Sequence, residues 1–186
     1  MKNRAVTRNM DSLMRAAMLI AGRLAGGHKI MLFGNGGSAA DAQHIAAEFV
    51  NRFATERPPL AAMALTTDTS ILTSIGNDYD FDEIFAKQIR ALGKKDDIVL
   101  GISTSGNSTN VLKGFKAARK AGIFTLGMTG RGGEMKDLAD MVLTVASDVT
   151  ARIQETHICM GHILCELVDR ILFPENFNGR QTIETE

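Results

Sequence analysis

The segment KIMLFGNGGSAADAQHIAAEFVNRF, residues 29–53, sets three kinds of sequence end to end. Residues 29–33 are a short apolar run and read as a buried strand. Gly34-Asn35-Gly36-Gly37-Ser38 follows as a turn, and residues 39–53 read as a helix. The alternation repeats downstream. Residues 60–65 read as a strand, 69–75 as a short helix, 81–92 as a longer one, and 97–102 (DIVLGI) as a strand. A polar turn at 103–108 leads into a helix over 110–121, then strands over 123–128 and 141–145. A long helix over 151–172 is stopped by Pro174. Apolar strands alternating with helices predict a parallel sheet covered on both faces, a three-layer α/β sandwich with five strands. Ligands of such sheets bind at the carboxyl ends of the strands.

Upstream, Met10, Leu13, Met14, Ala17, Ile20, Ala21 and Leu24 recur at helical spacing until Gly26-Gly27. This helix, placed within residues 7–25, has an apolar face that needs a partner. The domain's own core and a second subunit both remain open. Residues 174–186 are polar and expected to be a loose tail. Without repeats or a linker, residues 1–186 read as one domain.

The 186 residues carry 21 basic and 21 acidic side chains. A zero net charge argues against the global basic field of a nucleic-acid binder. Arg15 and Arg23 interrupt the apolar stretch near the N-terminus, so it reads as neither a leader nor a membrane span. Cys159 and Cys165 lie six apart on one helix and read as reduced, buried thiols. The expectation is a cytoplasmic protein without membrane or nucleic-acid partners.

Two turns stand out chemically. Gly34-Asn35-Gly36-Gly37-Ser38 lets a ligand approach backbone N–H groups at a helix start. Residues 103–108, STSGNS, put the hydroxyls of Ser103, Thr104, Ser105 and Ser108 at another helix start. Capping one helix needs one or two hydroxyls. Four fit a phosphate, whose oxygens accept several hydrogen bonds beside a positive helix end. No GxxxxGK[ST] or GxGxxG pattern is present, which argues against a P-loop or dinucleotide fold.

Three of the four histidines fall on two helices. His44 and Glu48 are four apart, and Gln154, His157 and His162 lie on broadly one side of the last helix. Each alone is an ordinary helix residue. Together with two phosphate-type loops they suggest acid–base chemistry or a divalent metal such as zinc. A phosphate grip, a carboxylate and a histidine suit aldose–ketose isomerisation, in which protons move between two carbons and their oxygens through an enediol.

GNGGSAADAQHIAAEF (34–49), LTTDTSILTSIGNDYDF (65–81), GISTSGNSTNV (101–111) and ARIQETHICMGHIL (151–164) resemble the bacterial phosphoheptose isomerases of the sugar isomerase (SIS) superfamily. The resemblance spans about residues 10–173. It implies conversion of sedoheptulose 7-phosphate to D-glycero-D-manno-heptose 7-phosphate, the first step toward activated heptose. It implies a flavodoxin-like SIS domain in a cytoplasmic homotetramer with sites at subunit interfaces, the N-terminal helix in oligomer contacts, and one zinc per subunit. By the same resemblance Glu48 is the base and His162 its acid–base partner, and zinc is held by His44, Glu48, Gln154 and His162. Asn35, Gly36 and Gly37 would line the sugar. Asn77 and Asp78 would hold hydroxyls, and Ser103, Thr104, Ser105 and Ser108 the phosphate. Gln154 would also touch substrate, with Arg52 as a helper. One departure is Ala151, where some members carry an acid three residues before the glutamine; Asp148 is a candidate replacement.

The resemblance also admits a rival. A related SIS tetramer binds the bacterial replication initiator and shares the ARIQE…H stretch and Thr55-Glu56-Arg57-Pro58. That adaptor lacks the carboxylate and second histidine which stand here as Glu48 and His162. A SIS module that senses sugar phosphates would be expected beside a DNA-binding domain, for which these residues leave no room.

Overall fold

The computed structural model describes residues 2–177. Five strands form one sheet: β1 (Ile30–Gly34), β2 (Ala62–Ala64), β3 (Ile98–Ser103), β4 (Phe124–Thr129) and β5 (Met141–Thr144). Every pairing is parallel, and the order is β2-β1-β3-β4-β5. The helices are α1 (Lys2–Ala25), α2 (Gly37–Val50), α3 (Thr69–Asp78), α4 (Ile84–Leu92), α5 (Thr109–Lys120), α6 (Met135–Leu138) and α7 (Thr150–Leu172).

The strands alternate their side chains between two cores. Ile30 and Leu32 of β1 join Ile98, Leu100 and Ile102 of β3 on the face covered by α1, α2 and α7. Met31, Phe33 and Val99 point the other way, toward Phe85 and Ile89 of α4 and Phe115 of α5. Both faces are covered, so the strands carry unbroken apolar runs, as expected of a buried parallel sheet. The expected three-layer α/β fold is what forms.

The details differ at several points. The N-terminal helix begins at Lys2, and β2 is a three-residue edge strand rather than 60–65. In α1, Leu13, Ala17, Ile20 and Ala21 enter the chain's own core, whereas Met10, Met14 and Met18 are exposed. Pro174–Phe177 forms a single 3-10 turn, where Asn176 donates to the Glu56 carbonyl at 2.8 Å. The rest of the expected loose tail lies outside the described residues.

The strand order reverses direction between β1 and β3. The carboxyl ends at such a switch point are where open α/β sheets bind ligands. The loops leaving β1 and β3 are the glycine-rich turn and the hydroxyl-rich turn.

Candidate active site

Ser103 ends β3, and the turn after it folds back on that hydroxyl. Ser103 Oγ lies 2.9 Å from Ser108 Oγ and 3.3 Å from Ser105 Oγ, and it accepts the Gly106 N–H at 3.2 Å. Ser108 is the N-cap residue of α5, yet its hydroxyl makes no cap bond to that helix. The first N–H groups of α5 therefore have no side-chain cap, a positive helix end suited to an anion. Ser103 is buried, Thr104 and Ser108 are partly exposed, and Ser105 faces solvent. Thr104 and Ser105 line an open cavity of about 340 Å³ with Arg131 and Thr150. Arg131, which the sequence did not single out, brings a guanidinium there and pairs with Asp148 at 2.7 Å.

The two loops are tied together. Asn35 and Asn110 exchange a reciprocal amide pair at 2.8 and 2.9 Å. Asn35 thus spends both amide groups on Asn110, and Gly36 and Gly37 are the exposed part of the first loop. Gln154 lies directly against Gly37, where a Cβ would strike its amide. Gly37 leaves the space in which α7 brings Gln154 to the loop.

His44, Glu48 and His162 converge. One imidazole nitrogen from each histidine and a carboxylate oxygen of Glu48 all lie within 4.8 Å of one another. His162 Nε2 stands 3.0 Å from His44 Nε2, and His44 Nε2 stands 3.2 Å from Glu48 Oε1. The Phe53 ring packs on His162 at 5.3 Å between centroids. Glycine at position 161 makes the meeting of α2 and α7 possible, since a Cβ there would lie 2.5 Å from Ile45 Cδ1. Gly161 and Ile45 are the chain neighbours of His162 and His44.

The remaining candidates are placed differently. His157 is fully buried, and its ring nitrogens have no hydrogen-bond partner. Burial pushes it down to about 4; the Thr129 backbone opposes the shift without reaching bonding geometry. It is a core histidine, apart from the trio. Arg52 turns to Glu56 at 2.9 Å, and both are well exposed. Asn77 and Asp78 end α3, where Asn77 donates to Asp78 at 2.9 Å. They are exposed, on a helix that packs chiefly against α4 and the short turn before it. Asp41, three residues before His44 on α2, is pushed up by burial, with His44 opposing.

Two imidazole nitrogens and a carboxylate oxygen form a donor set for a divalent ion. Ligand atoms about 2.0–2.2 Å from one tetrahedral ion stand about 3.3–3.6 Å apart. The separations of 3.0 and 3.2 Å are close to that, and two neutral imidazoles facing through Nε2 share at most one proton. The residues present fit a metal.

A parallel 2-1-3-4-5 sheet with a hydroxyl-rich loop at its switch point defines a doubly wound α/β protein with a candidate anion site. The family described as the SIS domain matches residues 1–130, and the chain belongs to it. Within it, the chain is a member of the phosphoheptose isomerase family. It is 58% identical over 174 residues to the phosphoheptose isomerase of Nitratidesulfovibrio vulgaris (Miyazaki F), covering 93% of this chain and 84% of that one. It is 61% identical over 158 residues to the phosphoheptose isomerase of Solidesulfovibrio magneticus, covering 85% and 78%. The structure of phosphoheptose isomerase GmhA from Neisseria gonorrhoeae superposes with a TM-score of 0.85 at 47% identity, covering 90% of each chain.

Proposed function

We propose that this protein interconverts sedoheptulose 7-phosphate and D-glycero-D-manno-heptose 7-phosphate. The observation that carries the reading is the convergence of His44, Glu48 and His162 in a chain that also carries the hydroxyl-rich loop. Relatives 58% and 61% identical over the matched residues bear the name phosphoheptose isomerase. An adaptor for a replication initiator has no chemical need for such a trio.

In this reading the hydroxyls of Ser103, Thr104, Ser105 and Ser108 and the start of α5 take the phosphate. Fixing that remote group orients C1 and C2 of the sugar. Glu48 takes the proton from C1 of the ketose and returns one to C2. Its Oε1 faces His44, so Oε2 is the oxygen available to the carbon proton. His162 moves the proton between the two sugar oxygens. Gly36, Gly37, Asn35, Gln154, Asn77 and Asp78 would bound the sugar chain, with Arg52 as helper if it leaves Glu56. His44, Glu48 and His162, with Gln154 as a fourth donor, would hold zinc, which when bound supplies positive charge for developing enediolate oxygens.

The trio is only partly covered in one chain: the His44 side chain is 50% exposed. Met10, Met14 and Met18 form an exposed stripe on α1. Both features support a homotetramer whose neighbours cover α1 and close the site. No described helix is long and apolar enough to cross a membrane, and Cys159 and Cys165 are free thiols, which supports a reducing, cytoplasmic setting.

The enediol route is tested by turnover in deuterated water with product analysis by NMR. Deuterium at C2 of the aldose is expected. Deuterium incorporated at the wild-type rate by a folded Glu48→Gln variant would contradict proton transfer through Glu48.

A further inference from the structure

Arg57 and Asp169 form a buried ion pair that the reaction above does not use. Their side chains are 0% and 1% exposed, and Arg57 Nε stands 2.9 Å from Asp169 Oδ1. The rest of the guanidinium is spent chiefly on the end of α2, with Nη1 also donating to the Pro58 carbonyl at 3.2 Å. Nη2 donates to the Glu48 carbonyl at 2.7 Å; Nη1 donates to those of Phe49 at 2.8 Å and Asn51 at 3.2 Å. The last carbonyls of a helix have no donor within it and commonly turn to water, so the final turn frays. Here one planar cation takes several of them at once, with the sign that a helix C-terminus favours.

We infer that Arg57 and Asp169 are positioning residues that hold the Glu48 carboxylate in register with His162. Asp169 lies seven residues after His162 on α7, two turns along the same face. Arg57 therefore joins the backbone of Glu48 to the face of the helix that carries His162. Stability alone does not account for the pair. Apolar residues of similar volume are often as stabilising in such a place, and Asp169 keeps a buried Oδ2 with no partner. What apolar residues cannot do is grip carbonyls on one helix while anchored to another.

The inference rests on the assignment of Glu48 above, and its test separates the two. Arg57→Lys keeps the charge but loses the fork that spans Glu48, Phe49 and Asn51. The double variant Arg57→Met with Asp169→Leu removes both charges and keeps an apolar fill. Both are compared with wild type for kcat, KM, Tm and affinity for Co²⁺ added to metal-free protein. The expected result is a kcat about tenfold or more lower in both variants, KM within about twofold, and Co²⁺ binding about tenfold weaker, even where the double variant matches the wild-type Tm. A purely structural pair would let activity and Co²⁺ affinity return with stability. Wild-type kcat and Co²⁺ affinity in a stable double variant would overturn the inference. Should the double variant not fold, Arg57→Lys carries the same comparison. Glu48→Gln is measured alongside: if it keeps its turnover, the role of Glu48 fails, while Co²⁺ affinity still reads the clamp.

Discussion

His44 and His162 are 118 residues apart in the chain, yet their Nε2 atoms stand 3.0 Å from each other. One is carried by α2 and the other by α7, and Glu48 joins them one turn after His44. Two imidazoles so arranged either share a proton or face a common cation.

The trio should bind a divalent ion. Metal-free protein titrated with Zn²⁺ or Co²⁺ should bind one ion per chain. His44→Ala and His162→Ala should each weaken that affinity by at least tenfold, with little change in Tm of the metal-free protein. Calorimetry and the Co²⁺ visible spectrum measure this. Unchanged affinity in both variants would place the ion elsewhere.

The hydroxyl loop should act on binding. Ser105 is exposed, and its hydroxyl bonds only within its own turn, accepting the Asn107 N–H at 3.1 Å and meeting Ser103 Oγ at 3.3 Å. A lost hydrogen bond to a charged oxygen is worth about 1.5–3 kcal/mol. Ser105→Ala should therefore raise KM by about tenfold or more with kcat nearly unchanged. Steady-state kinetics would show the opposite pattern, lower kcat at constant KM, if the loop does not grip the phosphate.

Helix packing at the site should tolerate no extra methyl. Gly161→Ala would press on Ile45 Cδ1, beside both histidines. Overpacking of this kind costs about 1–3 kcal/mol, and kcat should fall with it. The added Cβ would also lie 2.8 Å from Ile45 Cγ1, so Ile45→Ala, which removes both struck atoms, should make the double variant lose less than the sum of the two single losses. Additive effects in the double-mutant cycle would refute direct contact.

His157 should make stability depend on pH. Its imidazole is held at about 4 by burial, against an ordinary 6.5. Between those values the unfolded chain binds the proton and the folded chain does not. Stability from this group is complete above pH ~6.5 and falls as pH drops toward 4, by on the order of 3 kcal/mol. His157→Met removes unpartnered nitrogens and should flatten that part of the profile. Denaturant unfolding across this range checks it, and an unaltered slope would assign the dependence to other groups.

What the sequence disclosed was local. Apolar runs and hydroxyl-rich turns are contiguous, so five strands, both loops and the face shared by His44 and Glu48 could be read directly. The start of α1 was read too late because residues 2–9 are mostly polar and lack the apolar period, although Ala5 and Asn9 are buried. Asn35 with Asn110, and Arg57 with Asp169, are separated by 75 and 112 residues. No spacing rule pairs such residues; only the sheet order and helix crossing bring them together. Arg57 stood in view within Thr55-Glu56-Arg57-Pro58, but as a shared motif without a physical role. Asn77 and Asp78 were read as sugar contacts, and in one chain they bond to each other on an exposed helix end.

The central claim is that this site isomerises a seven-carbon ketose phosphate through Glu48 and His162. The direct measurement is formation of D-glycero-D-manno-heptose 7-phosphate from sedoheptulose 7-phosphate by the purified protein, with Glu48→Gln and His162→Ala in parallel. Turnover by the wild type and a loss of at least a thousandfold in each folded variant, on the order of 4 kcal/mol of barrier, is the predicted result. Folded wild-type protein without turnover, or either variant near the wild-type rate, would contradict it.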